Sequence, residues 1–321
     1  MDKALPSAGP GEVVVALRAT TINNHDLINL AGGYRGLPLP RIPFSDGCGE
    51  VVDVGNAVSG LRRGDRVIVQ FFPNWQAGPP TAAALSTVRG DHVEGCLQTH
   101  LRARADAVFK APDHLSDAEA AALGCSGLTA WRSLVVEGCL KPGQVVVVQG
   151  SGGVSTCAIS IAHALGARVI ATSSSNDKLL QARALGADAT VNYREQPDWA
   201  KAVLKLTEGR GADHIIEVGG PDTFAQSLRA LSLGGHLSVI GALTGTHGTD
   251  LSPRAIMAKN ATVKGITVGS REHLQDFCRM VASTGMRPRI ARSFVWTDAD
   301  AALACMREQR HFGKLALAIT D

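Results

Sequence analysis

Residues 145–149 are Val-Val-Val-Val-Gln, and residues 150–155 are Gly-Ser-Gly-Gly-Val-Ser. An apolar run that stops at G-x-G-G-x-S and continues into a helix-period stretch has the form of a main-chain loop shaped for a pyrophosphate. Gly150 allows the tight turn and Gly152 lets a phosphate approach the backbone. Ser155, at the sixth position where Gly or Ala is usual, is small enough to keep strand and helix close. Ser151, Gly153 and Val154 complete the turn, so phosphate charge meets the N-terminus of the helix that follows.

A second feature chooses between the two nicotinamide dinucleotides. A strand that serves NAD ends, about 20 residues after the first glycine, in an acid for the ribose hydroxyls. Residues 172–178 are instead Thr-Ser-Ser-Ser-Asn-Asp-Lys, with no acid at the strand tip. Hydroxyls from Ser173 and Ser174 with the Lys178 cation favour the 2′-phosphate of NADP(H) over NAD. Tyr193-Arg194 adds a second cationic point after the next strand. The competing explanation is that Ser173–Ser175 cap the helix beginning near Asp177.

The elements that must position these groups fall into two kinds. Before about residue 120, short β-rich runs (Glu12–Ala19, Gly49–Val54, Arg66–Val69) alternate with turn residues and a loop-rich insert, 72–95. This predicts an irregular, mostly antiparallel domain. After about residue 140, strands are predicted at 145–149, 168–172, 189–192, 214–218, 236–240 and 262–267. Helices are predicted between them at 154–165, 177–185, 197–207 and 221–231. Strands this apolar, separated by helices, predict a parallel sheet covered on both faces, hence an α/β, doubly wound fold. From about Arg271 a helix, a strand at 293–296, another helix and a strand at 314–319 remain. They are too little for a third domain and are expected to return to the first. The boundaries drawn are 1–120, 121–268 and 269–321.

Bulk properties exclude several classes. The chain has 321 residues, 45% of them hydrophobic, so it can bury a large core. Its net charge of +3 is too balanced to imply a polyanion partner, so no nucleic acid is expected. Residues 142–167 carry no Asp, Glu, Lys or Arg, long enough to imitate a membrane span. The glycines, hydroxyls and His163 within them argue against one, and no membrane is expected. No apolar run opens the sequence, which is read as soluble and cytoplasmic. Seven scattered cysteines without a C-x-x-C pair suggest free thiols. The 35 glycines ask for many turns, and the two tyrosines leave only Tyr34 and Tyr193 for any phenol role.

The order of a β-rich domain, a bridging helix ending in Leu123-Gly-Cys-Ser-Gly-Leu-Thr-Ala-Trp131, the glycine loop, and a return ending in His311-Phe-Gly-Lys-Leu315 resembles the medium-chain dehydrogenase/reductase superfamily. More narrowly, the chain is similar to its zinc-free, quinone-oxidoreductase-like branch, often labelled zinc-type alcohol dehydrogenase-like. Phe72-Pro-Asn-Trp75, Gly78-Pro-Pro80, Ala171–Ser175, Glu217-Val-Gly-Gly220 and Val268-Gly-Ser-Arg271 carry that closer likeness, which extends from Pro10-Gly-Glu12 across the chain. The resemblance implies a Rossmann domain plus a GroES-like catalytic domain, a nicotinamide cofactor, a small-molecule substrate and a homodimer.

The resemblance also locates the reacting end. Zinc members supply a Cys, a His-Glu pair and a second Cys; here Asn23, Ser45-Asp46 and Cys125 stand at those positions. One sulfur with amide, hydroxyl and carboxylate is a poor tetrahedral zinc set, so no metal is expected. Without a Lewis acid the expected chemistry is hydride delivery to an already electrophilic carbon, a quinone or an α,β-unsaturated carbonyl. Asn23, Tyr34 and Thr129 are the implied donors near the nicotinamide, with water as the alternative proton source. Gly219, Gly241, Leu243, Val268, Ser270 and Arg271 are implied along the nicotinamide side, and Lys314 near the adenosine phosphate. An alcohol dehydrogenase and a cofactor-binding relative without free small-molecule turnover remain the alternatives.

Overall fold

The structure is a computed structural model, described here for residues 5–32, 40–245 and 252–320. By contact it divides into two compact units, residues 1–128 with 268–321, and residues 129–267.

The first unit is built on strands β1 (Glu12–Thr21), β2 (Cys48–Val54), β3 (Arg66–Val69), β4 (His100–Arg104) and β5 (Val108–Lys110). The second contains β6 (Val145–Gln149), β7 (Arg168–Ser173), β8 (Ala189–Asn192), β9 (Ala212–Glu217), β10 (Leu231–Val239) and β11 (Thr262–Gly265). The chain then returns to the first unit with β12 (Ile290–Val295) and β13 (Lys314–Ala318). The sheet of the first unit runs β12-β13-β1-β2-β3-β5, with β4 also on β1. Its pairs are antiparallel except β12 with β13. β1 receives β4 along its first half and β13 along its second, which Ala19↔Ala318 begins. Alternate residues Val13, Val15 and Leu17 point into a core with Val51, Val67, Val69, Leu101 and Val108.

The second unit is a fully parallel sheet in the order β11-β10-β9-β6-β7-β8. The chain winds outward from β6 through β7 to β8, then crosses back to lay β9 against the other side of β6. The C-terminal ends of β6 and β9 therefore flank the point where the winding reverses, the crevice in which open α/β sheets bind ligands. Val145 and Val147 face a core with Trp199, Val203, Phe224 and Leu228. Val146 and Val148, on the opposite face, are equally buried. Strands covered on both faces explain the unbroken valine run. The uncharged stretch 142–167 is β6, the glycine loop and the helix Gly153–Ala164. Among the described residues no helix is long and apolar enough to cross a membrane.

Elements predicted from periodicity recur within a few residues. Others had no such pattern, among them the helix Asn24–Leu30, the strands β4 and β5 and the short helices Ala82–Leu85 and Pro253–Lys259. The bridging segment is not one regular helix, because π-helical turns at Leu123–Gly127 and Arg132–Val136 flank Leu128–Trp131.

Candidate active site

In the second unit the glycine loop has the geometry a pyrophosphate needs. Gly150 sits at φ 73°, where a side chain would be strained, and its N–H bonds the Thr172 carbonyl at 3.0 Å. A Cβ on Gly152 would meet nothing within 4 Å, so the loop faces open space there. Ser155 is held at the strand by its hydroxyl, which donates to the Gln149 carbonyl at 2.7 Å. The helix Gly153–Ala164 starts with no side-chain cap, leaving its first N–H groups turned to the loop. A cradle of small residues with a bare helix N-terminus fits a dinucleotide phosphate.

A buried carboxylate shapes the opposite wall. Glu217, at the end of β9, is wholly buried. Its Oε1 accepts from the Gly219 and Gly220 N–H groups at 2.8 and 2.9 Å and from Thr223 Oγ1 at 2.6 Å. Its Oε2 accepts from Gln149 Nε2 at 2.8 Å and from the Ser227 hydroxyl. Gly220 turns at φ 99°. The Val218–Gly220 loop is stitched to the next one, since Leu243 N–H bonds the Val218 carbonyl at 3.3 Å and Thr244 N–H that of Gly219 at 2.8 Å. Gly219, Gly241 and half-exposed Leu243 thus come together at the ends of β9 and β10. The Gln149–Glu217 bond ties them to the loop of Gly150.

At the tip of β7, the Ser173 hydroxyl accepts the Ser175 N–H at 3.3 Å, and Ser175 caps the helix Asn176–Ala184 through the Lys178 N–H at 3.5 Å. The capping explanation therefore holds for Ser175. Ser174 and Lys178 stay part-exposed beside it, and burial draws the Lys178 amine below its usual pKa. Tyr193 follows β8, its N–H on the Ser173 carbonyl at 3.1 Å, with its side chain exposed. Glu195 also reaches this tip, bonding Asn176 at 2.7 Å. Thr129 is buried, and its carbonyl accepts the Ser133 hydroxyl at 2.7 Å.

In the first unit Asn23, Ser45 and Asp46, three of the residues at the family's metal positions, converge around an ammonium group. Lys314, 3% exposed at the start of β13, donates to Asn23 Oδ1 at 2.6 Å, the Ile22 carbonyl at 2.8 Å and Asp46 Oδ2 at 3.1 Å. Asn23 Nδ2 donates to Asp46 Oδ2 at 2.9 Å and Ser45 Oγ at 3.1 Å, while its oxygen also accepts from Ser126 Oγ at 3.1 Å. Thr21 Oγ1 adds a 2.5 Å bond to Asp46 Oδ2. The π-helical turn that contains Cys125 delivers Ser126 to this cluster.

This donor set does not fit zinc. It offers one thiol, an amide with both hydrogens donated, a hydroxyl, and a carboxylate already paired with a cation. Among the described residues no group of three or more His, Cys, Asp or Glu could hold a metal. Burial pushes the Cys96 and Cys278 thiols up to about 12, which makes them poor nucleophiles.

Three site features had little or no sequence signal. Asp26 closes a capping box on the helix Asn24–Leu30, accepting the Asn23 N–H at 2.7 Å. Its burial pushes the carboxyl up to about 7, aided by Asp46 and opposed by the Asn23 N–H, His25 and Lys314. His25 Nε2 lies 2.9 and 3.1 Å from the Asp91 oxygens, a pairing across 66 residues. The Gln149–Glu217 hub was marked only by polar residues closing otherwise apolar strands.

The remaining expected positions belong to the first unit. Val268 holds φ 46°, unusual for a β-branched residue. Ser270 caps the helix Arg271–Thr284, and the Arg271 guanidinium lies 5.7 Å from the Phe109 ring centre. The strand predicted to reach residue 267 ends at Gly265. Trp75 is 1% exposed and donates to the Gly78 carbonyl, so it is a packing anchor. Tyr34 lies outside the described residues.

The sequence matches the alcohol dehydrogenase GroES-like domain over residues 9–113 and the zinc-binding dehydrogenase family over 153–283. It is 40% identical to a zinc-type alcohol dehydrogenase-like protein of Schizosaccharomyces pombe, covering 97% of this chain and 91% of the relative. It is 30% identical to human quinone oxidoreductase, covering 86% and 78%. The crystal structure of an NAD-dependent alcohol dehydrogenase superposes with a TM-score of 0.91 at 33% identity, covering 100% of this chain and 95% of that one. A glycine-loop parallel sheet, a GroES-like partner domain and relatives along the whole length agree: the chain belongs to the medium-chain dehydrogenase/reductase superfamily, as an oxidoreductase of the kind that uses a nicotinamide cofactor.

Proposed function

We propose that the protein is an NADPH-dependent, zinc-independent oxidoreductase that reduces a quinone or an α,β-unsaturated carbonyl. The observation that carries the reading is the Lys314 ammonium bonded to Asp46 and Asn23, at the positions where zinc relatives gather metal ligands. A fixed cation there opposes a second, divalent one and leaves no Lewis acid to form an alkoxide. A bound nicotinamide supplies the hydride; an acceptor that spreads the resulting charge onto an oxygen needs only hydrogen bonds and a proton. The Gly150–Val154 turn holds the pyrophosphate, and Ser173, Ser174 and Lys178, with Tyr193 beside them, receive the 2′-phosphate. Gly219, Gly241 and Leu243 line the nicotinamide side. Asn23, Thr129, Val268, Ser270 and Arg271 keep their proposed places, whereas Lys314, expected near the adenosine phosphate, is held in the Asn23 and Asp46 cluster instead. The protein works as a cytoplasmic homodimer joined through an edge of the second unit's sheet.

The second reading, oxidation of an alcohol with NAD, is favoured by relatives named alcohol dehydrogenase and NAD-dependent alcohol dehydrogenase, and by Glu195 near the β7 tip. NADPH oxidation is measured against quinones, enals and enones, with NADH, alcohol and chelated samples in parallel. The expected result is turnover of a conjugated acceptor with NADPH that chelation leaves unchanged. NADH preference overturns the cofactor assignment, and activity that chelator removes and zinc restores overturns the metal-free reading.

A further inference from the structure

Among the described residues, the buried Lys and Arg side chains are Lys314, Arg132 and Arg89, at 3%, 2% and 5% exposure. Two of them meet a carboxylate. Lys314 lies 3.1 Å from Asp46, and Arg132 lies 2.7 Å from Glu137. Arg89 has no such partner. Its Nη1 donates to the Glu94 carbonyl at 3.1 Å, and its Nε has no acceptor. Burial draws its pKa down, and the group that opposes this is the Cys96 thiol rather than a carboxylate.

The acids of the same turn are engaged by other groups. Asp91 grips His25 Nε2 at 2.9 and 3.1 Å and also accepts from Asn29. Glu94 offers Arg89 only its carbonyl, because its Oε2 accepts the Ile42 N–H at 2.8 Å. Cys96 is no counter-ion, since burial pushes its thiol up to about 12 and keeps it neutral. The backbone that carries Arg89 is fixed as well. The Arg89 N–H bonds the Phe71 carbonyl at 3.0 Å, and the Gly90 N–H bonds that of Val93 at 2.9 Å. Gly90 turns at φ 84°, and a Cβ there would come within 3.2 Å of the Phe44 backbone.

We propose that Arg89 is the anchor of an anion site in the first unit, and that its ligand is a small carboxylate. A guanidinium is charged at any working pH, and burying it is costly unless an opposite charge comes with it. Water can meet its N–H groups but leaves the charge unpaired. The planar fork matches the two oxygens of a carboxylate, with parallel N–H···O bonds. A single negative charge suits the place better than two. The Cys96 thiol that feels Arg89 also feels the charges of Asp46 and Asp26, so a dianion would meet repulsion there. The site belongs to the first unit alone and stands whether or not the proposed reduction does.

The test is NMR of the full chain labelled with 15N-arginine, titrated with formate and, at equal ionic strength, with chloride and with sulfate. The Arg89 Nε–H resonance is identified by its loss in Arg89→Met. It is expected to shift saturably with formate and much less with the other two anions. Arg89→Lys keeps the charge without the fork and should weaken formate at least about tenfold. Formate should raise the melting temperature of wild type and leave that of Arg89→Met where it is. An Arg89 resonance indifferent to formate overturns the proposal, and so does an equal response to chloride or sulfate. Undiminished formate affinity in Arg89→Lys overturns it too, as does an equal rise in melting temperature for wild type and Arg89→Met. Should Arg89→Met fail to fold, Arg89→Lys supplies both the resonance assignment and the comparison.

Discussion

The five hydrogen bonds on Glu217 allow a sharp test of what holds the cofactor loops together. Every partner is a donor: two main-chain N–H groups and Thr223 on one oxygen, Gln149 and Ser227 on the other. Glu217→Gln keeps the shape but turns one acceptor into an NH2 group. Placed on the first oxygen's site, that group opposes two fixed backbone donors and a hydroxyl. Placed on the second, it opposes Gln149 Nε2 and leaves Ser227, which already accepts from Gln149 at 2.8 Å, without an acceptor for its proton. The cheaper choice still loses two charge-assisted bonds, at about 1.5–3 kcal/mol each, so destabilisation of about 3–6 kcal/mol is expected. Global melting would blur this over two units, so the assay is amide hydrogen exchange of β6 and β9, whose slowest amides report opening of the second unit. Protection there should fall by that amount, and NADPH affinity should fall with it as the Gly219–Gly220 loop loosens. Protection reduced by less than about 1 kcal/mol would refute the hub, because no amide orientation satisfies all five donors.

Four further outcomes follow from the same geometry. Gly152→Ala should leave stability within about 0.5 kcal/mol, since its Cβ meets no protein atom, yet weaken NADPH binding at least about tenfold; calorimetry that finds affinity intact removes the loop as the phosphate cradle. Lys314→Met should cost about 3–5 kcal/mol in urea unfolding by leaving Asp46 buried without its cation, and a smaller loss would mean the pair is dispensable. His214 is held by burial, and by His236 nearby, at about 4, below its unfolded value of 6.5; the folded state refuses a proton the unfolded state takes. Stability should therefore drop as pH falls from about 6.5 to 4, by about 3 kcal/mol at most, and His214→Gln should flatten that slope in pH-dependent melting. Lys178→Glu should raise Kd for NADPH far more than for NADH; equal changes in titration would place Lys178 away from the 2′-phosphate.

The second unit was the more legible half, for a physical reason. Strands buried on both faces need unbroken apolar runs, so Val145–Gln149 and Ala189–Asn192 show their limits directly in composition. The glycine loop was legible too, because its backbone demands admit few residue types. The first unit hides more. β4 pairs with β1 through His100–Arg104, whose polar alternation looks like loop, and the helix Asn24–Leu30 buries little besides Asp26. The resemblance foresaw Asn23, Ser45, Asp46 and Cys125 as a set. It did not foresee Lys314 among them, because that contact joins residues 268 apart through the β1–β13 pairing. Neither His25 nor Asp91 announces the other, since their pairing depends on where the insert 72–95 folds back.

The charges of the buried cluster bear on what it can hold. It contains two carboxyls, Asp26 and Asp46, and one ammonium, Lys314. Lys314 bonds Asp46 directly, whereas Asp26 accepts the Asn23 backbone N–H. Burial is the main cause that displaces the Asp26 carboxyl up to about 7; the Asp46 charge adds to it, and the Asn23 N–H, His25 and the single ammonium of Lys314 oppose it. Near neutral pH the cluster is thus close to balanced without a metal. A divalent ion would require Asp26 ionised against its burial, and it would meet the Lys314 ammonium already bonded to Asp46. Because the Asp26 pKa is raised on folding, its contribution to stability is complete below about pH 3.8. It is lost as pH climbs through about 7, the reverse of an ordinary surface carboxylate. Asp26→Asn, which keeps an oxygen for the Asn23 N–H, should therefore gain stability relative to wild type above pH 7 and not below pH 5. A variant equally stable to wild type at pH 8 would mean that Asp26 ionises there at no cost, and that the single ammonium is enough for both acids.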